Sequence, residues 1–178
     1  MPSSVRTLVI LLSGPSSSGK TTLARALLDR CAVPVMHVEA DRAFPAMPAQ
    51  TGSWDRLGLT RADAVLAFHR SIAVWAQAGF PLIVDGSLPY EDRELRDACL
   101  QVFGPFDLRL VGVRASLAAL NHREVARPEV RPAGWAARQA QDIHDGMEYA
   151  ATVDTSNATP DECADRVLAL LGLAGRPA

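Results

Sequence analysis

Short unbroken apolar runs alternate along this chain with longer stretches in which apolar residues return every three or four positions. Residues 7–13 form the first run, with no polar alternation, as expected of a strand buried on both faces. Residues 14–19 are small, polar loop material, and 20–30 read as a helix with Leu23, Ala24, Leu27 and Leu28 on one side. A second strand is expected over 33–38, running into Glu39, Ala40 and Asp41. Residues 43–59, broken by Pro45, Pro48, Gly52 and Gly58, read as irregular. An amphipathic helix follows over 60–79. Thr60 and Asp63 supply its start signal, Val65, Phe68, Ile72 and Trp75 its apolar stripe, and Gly79 its end.

Residues 80–85 and 107–113 read as the third and fourth strands, with a helix over 90–103 between them. Two more helices are expected over 116–126 and 135–147, separated by Pro128, Pro132 and Gly134, and a short fifth strand over 151–154. The closing helix spans 159–171, with Thr159 as cap, Pro160 at its first position and Gly172 beyond its end. Strands alternating with helices imply a parallel sheet covered on both faces, with ligands at the C-terminal strand ends. The expected class is therefore α/β: three layers, a five-stranded parallel sheet with helices on both faces, in a single domain over 1–178.

Composition narrows the partners. An apolar fraction of 48% and a charged fraction of 21% are ordinary for a globular enzyme. A net charge of −2 without a basic stripe argues against nucleic acid or an anionic membrane as partner. Cys31, Cys99 and Cys163 lack paired or metal-ligand spacing and read as small buried hydrophobes, suited to a reducing cytoplasm. The apolar run after Arg6 falls short of the ~7–15 residues of a signal-peptide core. No stretch approaches the ~18 apolar residues of a membrane span, and the expected location is cytoplasmic. His37, His69, His122 and His144 show no ligand spacing and receive no role. Lys20 is the only lysine among 18 basic residues, all the others being arginine.

That lysine closes the most specific motif in the chain. Gly14-Pro15-Ser16-Ser17-Ser18-Gly19-Lys20-Thr21 matches the phosphate-binding pattern G-x-x-x-x-G-K-[ST], with a strand before it and a helix after it, and Thr22 continues it. Such a loop curls so that successive N–H groups face one anion, and the helix N-terminus adds partial positive charge. Lys20 is expected on the β- and γ-phosphates of ATP and the Thr21 hydroxyl on Mg²⁺. Asp85, ending an apolar strand before Gly86, is the expected second Mg²⁺ contact. Asp41 or Glu39, beyond the second strand, is placed to take a proton from an attacking hydroxyl. Arg123, Arg127 and Arg131 fall four apart in a proline-broken segment, a small arginine-bearing lid near 123–138 that suits charge stabilisation on a transferring phosphoryl group. Arg138 belongs with them or with the surface. Trp54, Phe44 and Met47 are candidates for an acceptor pocket, and Trp75 and Trp135 for packing.

The loop, Asp41 six residues before Met47-Pro48, and the tracts Leu110–Arg114, Arg123-Glu-Val-Ala-Arg127, Gln139 to Tyr149, Val153–Ser156 and Pro160–Cys163 resemble the chloramphenicol phosphotransferase-like family over nearly the whole chain. The resemblance implies a P-loop kinase that moves a phosphoryl group from ATP to a hydroxyl of a small antibiotic-like molecule. It carries the catalytic aspartate onto Asp41 rather than Glu39, and the lid arginines onto Arg127 and Arg131. The lid is one residue longer between those arginines than the family pattern, and the acceptor-facing segment 46–79 is shorter. Two rivals share much of this pattern: a metabolic kinase of the gluconate, shikimate or nucleotide type, and a nucleotide-dependent binding module. The second would be expected to carry an Asn-Lys-x-Asp guanine-reading motif, which the sequence lacks.

Overall fold

A computed structural model describes residues 6–46, 54–86, 88–126 and 134–174. The expected parallel sheet is present. Strands β1 (Leu8–Ser13), β2 (Met36–Glu39), β3 (Leu82–Asp85), β4 (Asp107–Arg114) and β5 (Ala151–Asp154) lie in the order β2-β3-β1-β4-β5, every neighbouring pair parallel. Side-chain alternation along β1 divides the interior in two. Leu8, Ile10 and Leu12 pack under helices α1 (Lys20–Arg30) and α7 (Pro160–Leu171), against Leu23, Leu27, Val167 and Leu168. Val9 and Leu11 face the other way, onto Phe68 and Ile72 of α3 (Arg61–Gln77) and Cys99 of α4 (Arg93–Gln101). A sheet buried on both faces is what the unbroken apolar runs required.

The register brings the chemistry to one end. Leu12 lies level with Asp85, and Glu39 pairs with Asp85 from the other side, so the last residues of β1, β2 and β3 share one sheet edge. Because β1 sits between β3 and β4, its C-terminal end is the point where the strand order reverses, where a crevice opens in such sheets. Helices α5 (Leu117–Val125) and α6 (Trp135–Asp142) pack on each other and extend from the β4 end of this edge.

Caps stand where the sequence put them. Thr60 with Asp63 and Thr159 with Glu162 form reciprocal capping boxes, and Gly172 ends α7 in the left-handed region at φ 68°. Other boundaries differ. The second strand begins at Met36 rather than at 33, because pairing with the sheet starts only where Met36 N–H donates to Pro81 O at 2.8 Å, beyond Pro34. Asp41 is not at a strand end but on a single helical turn, α2 (Ala40–Ala43), closed by Phe44 N–H on Ala40 O. The helix expected from 90 starts at Arg93, where Asp92 accepts from Leu95 N–H, and Tyr90 and Glu91 stay outside it. The helix expected to reach 147 stops at Asp142, and Gly146 turns the following segment at φ 66°. A 3₁₀ turn over Asp55–Leu57 interrupts the segment expected to be irregular. The three cysteines are free, and burial raises the Cys99 thiol to about 11. No helix among the described residues is long and apolar enough to cross a membrane.

Candidate active site

The phosphate loop needs a bare backbone where it leaves β1. A Cβ on Gly14 would stand 2.2 Å from Val113 O on the neighbouring strand, closer than any side chain tolerates. Ser17 and Gly19 both take positive φ, 61° and 88°, which curls the chain around an open centre. Helix α1 then starts with no side-chain cap and no acid in its first turn, so its free N–H groups remain available to an anion. The hydroxyls of Ser17 and Ser18 are sealed from solvent without a hydrogen-bond partner among the described residues, further donors at this centre. Lys20 Nζ donates to Gly14 O and Pro15 O, at 2.8 Å each.

Two contacts from distant sequence brace the loop. The buried Thr155 hydroxyl, just after β5, donates to Ser18 O at 2.7 Å and accepts from Arg123, whose other terminal nitrogen donates to Thr155 O at 2.6 Å. Gln139 of α6, also buried, accepts the Ser16 N–H at 2.6 Å through Oε1. Arg123 therefore lies at the loop, whereas Arg127 and Arg131 fall outside the described residues. Arg138 places its guanidinium 5.5 Å over the Trp135 ring. Gln139 and Thr155 were assigned no role from sequence, since neither belongs to a short motif. The only signal was that both lie in the family-like C-terminal tracts.

Beside the loop, Asp85 is buried with both carboxylate oxygens unsatisfied among the described residues. His37 Nε2 approaches Oδ1 to 3.3 Å without the alignment of a hydrogen bond, and is itself unsatisfied. Burial alone would raise the Asp85 carboxyl. His37, the Thr21 hydroxyl and the Lys20 charge outweigh it and hold the group below its ordinary value, hence ionised at neutral pH. An ionised, unsatisfied carboxylate next to a hydroxyl is a hard-oxygen pair that fits Mg²⁺, which usually takes one or two protein oxygens with substrate phosphates and water. No larger group of metal-ligand side chains occurs among the described residues.

These groups open onto one cleft of about 1000 Å³. One end is polar, with Ser16, Lys20, Thr21, Asp85 and Arg123. The other is an apolar chamber walled by Phe44, Val65, Phe68, Ile72 and Leu88. Asp41 and Glu39 both line the cleft, and Arg42 at 3.2 Å and Arg25 at 3.5 Å engage the Glu39 carboxylate. Phe44 lines the chamber as expected, Trp54 does not line the cleft, and Met47 lies outside the described residues. Trp135, read from sequence as packing, instead lines the cleft, because α6 starts beside the loop that Gln139 grips.

Behind the loop, His144 Nδ1 and the Tyr149 hydroxyl lie 2.7 Å apart, and Gly112 leaves room for the Tyr149 ring, which a Cβ would approach to 2.9 Å. Burial, then repulsion from Arg114 and Lys20, hold the His144 imidazole down to about 4, with Asp145 pulling the other way. His69 is lowered as well, by burial over its hydrogen bond to Val65 O. The unfolded chain takes up these protons near pH ~6.5, while the folded chain resists them until lower pH. Their contribution to stability is therefore complete above pH ~6.5 and is lost as pH falls toward 4. For His144, partly open to solvent, a loss of about 1–2 kcal/mol is expected. Thermal denaturation between pH 7.5 and 5 should show falling stability, with a shallower slope in His144→Gln. An unchanged slope in that variant would contradict the assignment.

A P-loop at the reversal point of a 2-3-1-4-5 parallel sheet, opening on a small-molecule cleft, defines the class of P-loop small-molecule kinases. The family model for chloramphenicol phosphotransferase-like protein matches residues 7–171, and the chain belongs to that family. A Mycobacterium tuberculosis protein provisionally named an O-phosphotransferase is 31% identical, the match covering 85% of this chain and 76% of that one. Two solved structures share the fold. They are a gluconokinase from Sinorhizobium meliloti 1021 (22% identical, TM-score 0.65, covering 96% and 95%) and the tunicamycin resistance protein of Deinococcus radiodurans (20% identical, TM-score 0.65, covering 97% and 100%). The chain is thus an ATP-dependent small-molecule kinase with a P-loop fold, and the reading as a non-catalytic binding module is set aside.

Proposed function

We propose that this kinase, acting in the cytoplasm as one folding unit, phosphorylates a hydroxyl of a small, neutral, antibiotic-like molecule, with resistance as a biological consequence. The observation that carries this reading is the continuity of the cleft: phosphate loop at one end, apolar chamber at the other, Asp41 lining the same space. An apolar chamber rewards burial of an apolar body at roughly 25 cal/mol per Å², which a sugar acid does not supply.

In this reading Asp41 orients the acceptor hydroxyl and accepts its proton as the new O–P bond forms and the bond to the ADP oxygen breaks. The family resemblance favours Asp41 over Glu39 for this role, and Glu39 is held by Arg25 and Arg42. Residues 14–22 cradle the phosphates of ATP through N–H groups of the loop and of the first turn of α1, other than Pro15, which has none, and Ser16, whose N–H is held by Gln139. Lys20 exchanges its two loop carbonyls for β- and γ-phosphate oxygens. Thr21 and Asp85 hold Mg²⁺, which supplies charge neutralisation when bound. Arg127 and Arg131 are proposed as lid cations that neutralise charge on the transferring group, with Arg123 supporting the loop.

The test is incubation with MgATP and a panel of hydroxylated antibiotics, including chloramphenicol and tunicamycin, beside gluconate and shikimate, read by mass spectrometry. Gain of one phosphoryl group on a neutral antibiotic is the expected result. Phosphorylation of a sugar acid and of no antibiotic would replace this reading with that of a metabolic kinase.

A further inference from the structure

We infer that His69 is a specificity residue of the acceptor chamber, where its Nε2 accepts a hydrogen bond from a hydroxyl or amide N–H on an otherwise apolar acceptor. The inference rests on the reading of this chamber as the acceptor site and adds a recognition element to it. Three observations carry it.

The first is placement. Arg61, Val65, Phe68, His69 and Ile72 recur at helical spacing along α3 and all line the cleft, so His69 lies on the stripe that faces the acceptor. Its ring is held edge-on between Phe68 at 5.9 Å and Phe103 at 6.3 Å, and only 8% of the residue is exposed. The second is the tautomer. Nδ1 lies 2.8 Å from Val65 O, and a carbonyl can only accept, so Nδ1 carries the proton and Nε2 keeps its lone pair. Burial lowers the imidazole, which keeps that lone pair free at neutral pH. The third is the missing partner. No described residue hydrogen-bonds Nε2, unlike His37 Nε2 it is not sealed from solvent, and the residue lines the cleft.

A neutral acceptor atom in an apolar wall has a definite chemistry. It rewards a neutral donor and repels a carboxylate, which would set lone pairs against a lone pair. A site built to hydrogen-bond a donor also rejects the analogue that lacks one, since the buried atom is then left unpaired. The favoured acceptors are alcohols with an aromatic or aliphatic body and a second O–H or N–H, rather than ethers of the same shape.

Phenol and anisole, nearly equal in size and differing in the donor, are the probes. Their binding to the full chain is measured by NMR titration, with the ring nitrogens of His69 followed in a ¹⁵N-labelled sample. Wild type should bind phenol about tenfold more tightly than anisole, the scale of one well-made hydrogen bond, and only phenol should shift the Nε2 resonance. His69→Leu should abolish the preference while leaving ATP affinity unchanged. His69→Gln, which keeps an acceptor oxygen, should retain part of it, and decides the matter with the wild-type Nε2 signal where the leucine variant does not fold. Equal binding of the two probes, no saturable phenol binding, or a preference that survives His69→Leu would overturn the inference. Fragment binding needs no phosphoryl transfer, so an acceptor panel without turnover would count against the proposed reaction and not against this contact.

Discussion

Replacement of Asp41 by asparagine is expected to leave ATP binding intact and lower phosphoryl transfer by about 10²–10⁴, the usual worth of a general base. Asparagine keeps the shape of the side chain and its hydrogen-bonding reach but cannot take a proton. ATP affinity should not change, because in the proposed reading the phosphates are held by backbone N–H groups and Lys20 on a different element. Glu39 lies in the same cleft, where Arg25 and Arg42 engage its carboxylate. Because the proposed reading puts the base on Asp41, Glu39→Gln is expected to cost much less than Asp41→Asn. Steady-state kinetics with an accepted alcohol, together with ATP titration of both variants, check this. Turnover of Asp41→Asn within about tenfold of wild type would remove the base from the mechanism.

Lys20→Arg carries the second large effect. This substitution conserves charge and changes shape alone, in a chain that uses arginine at every other basic position. Nζ sits between Gly14 O and Pro15 O at 2.8 Å each, a space for a compact ammonium with three donors. A planar guanidinium is wider and presents its N–H groups in a fixed fork, so it cannot occupy that space or turn from it onto two phosphate oxygens without displacing the loop. A loss of about 10²–10³ in kcat is expected, the scale seen when one preorganised electrostatic contact to a transition state is removed. Nucleotide affinity should weaken with it, which separates this variant from Asp41→Asn. Full activity in Lys20→Arg would mean that charge alone matters and that the lone lysine is a coincidence of composition.

The fold was largely legible because it rests on local patterns. Unbroken apolar runs do not survive in a sheet open to water, and the capping pairs at Thr60 and Thr159 are satisfied within three residues. Errors fell where a local pattern met a tertiary decision. Val33 to Val35 look strand-like, but pairing begins only at Met36, and Phe44 N–H closing on Ala40 O puts Asp41 on a helical turn. Tyr90 and Glu91 look helical, yet the cap at Asp92 leaves them beside the cleft.

The sequence by itself determined the phosphate loop, its lysine, the parallel sheet and the acids at the strand ends, because each depends on neighbours within a few residues. Only the tertiary structure decided which distant groups meet there. The 2-3-1-4-5 order carries Thr155 and Arg123 to the loop from more than 100 residues away, and α6 brings Gln139 onto Ser16 across 123 residues. It also chose which stripe of α3 faces the cleft. Periodicity marks a helix's apolar side but not what that side covers, so a histidine with no spacing signal came to line the cleft beside Arg61, with its Nδ1 set on Val65 O. The phosphate loop is written locally in this chain, and the groups that brace it are written across it.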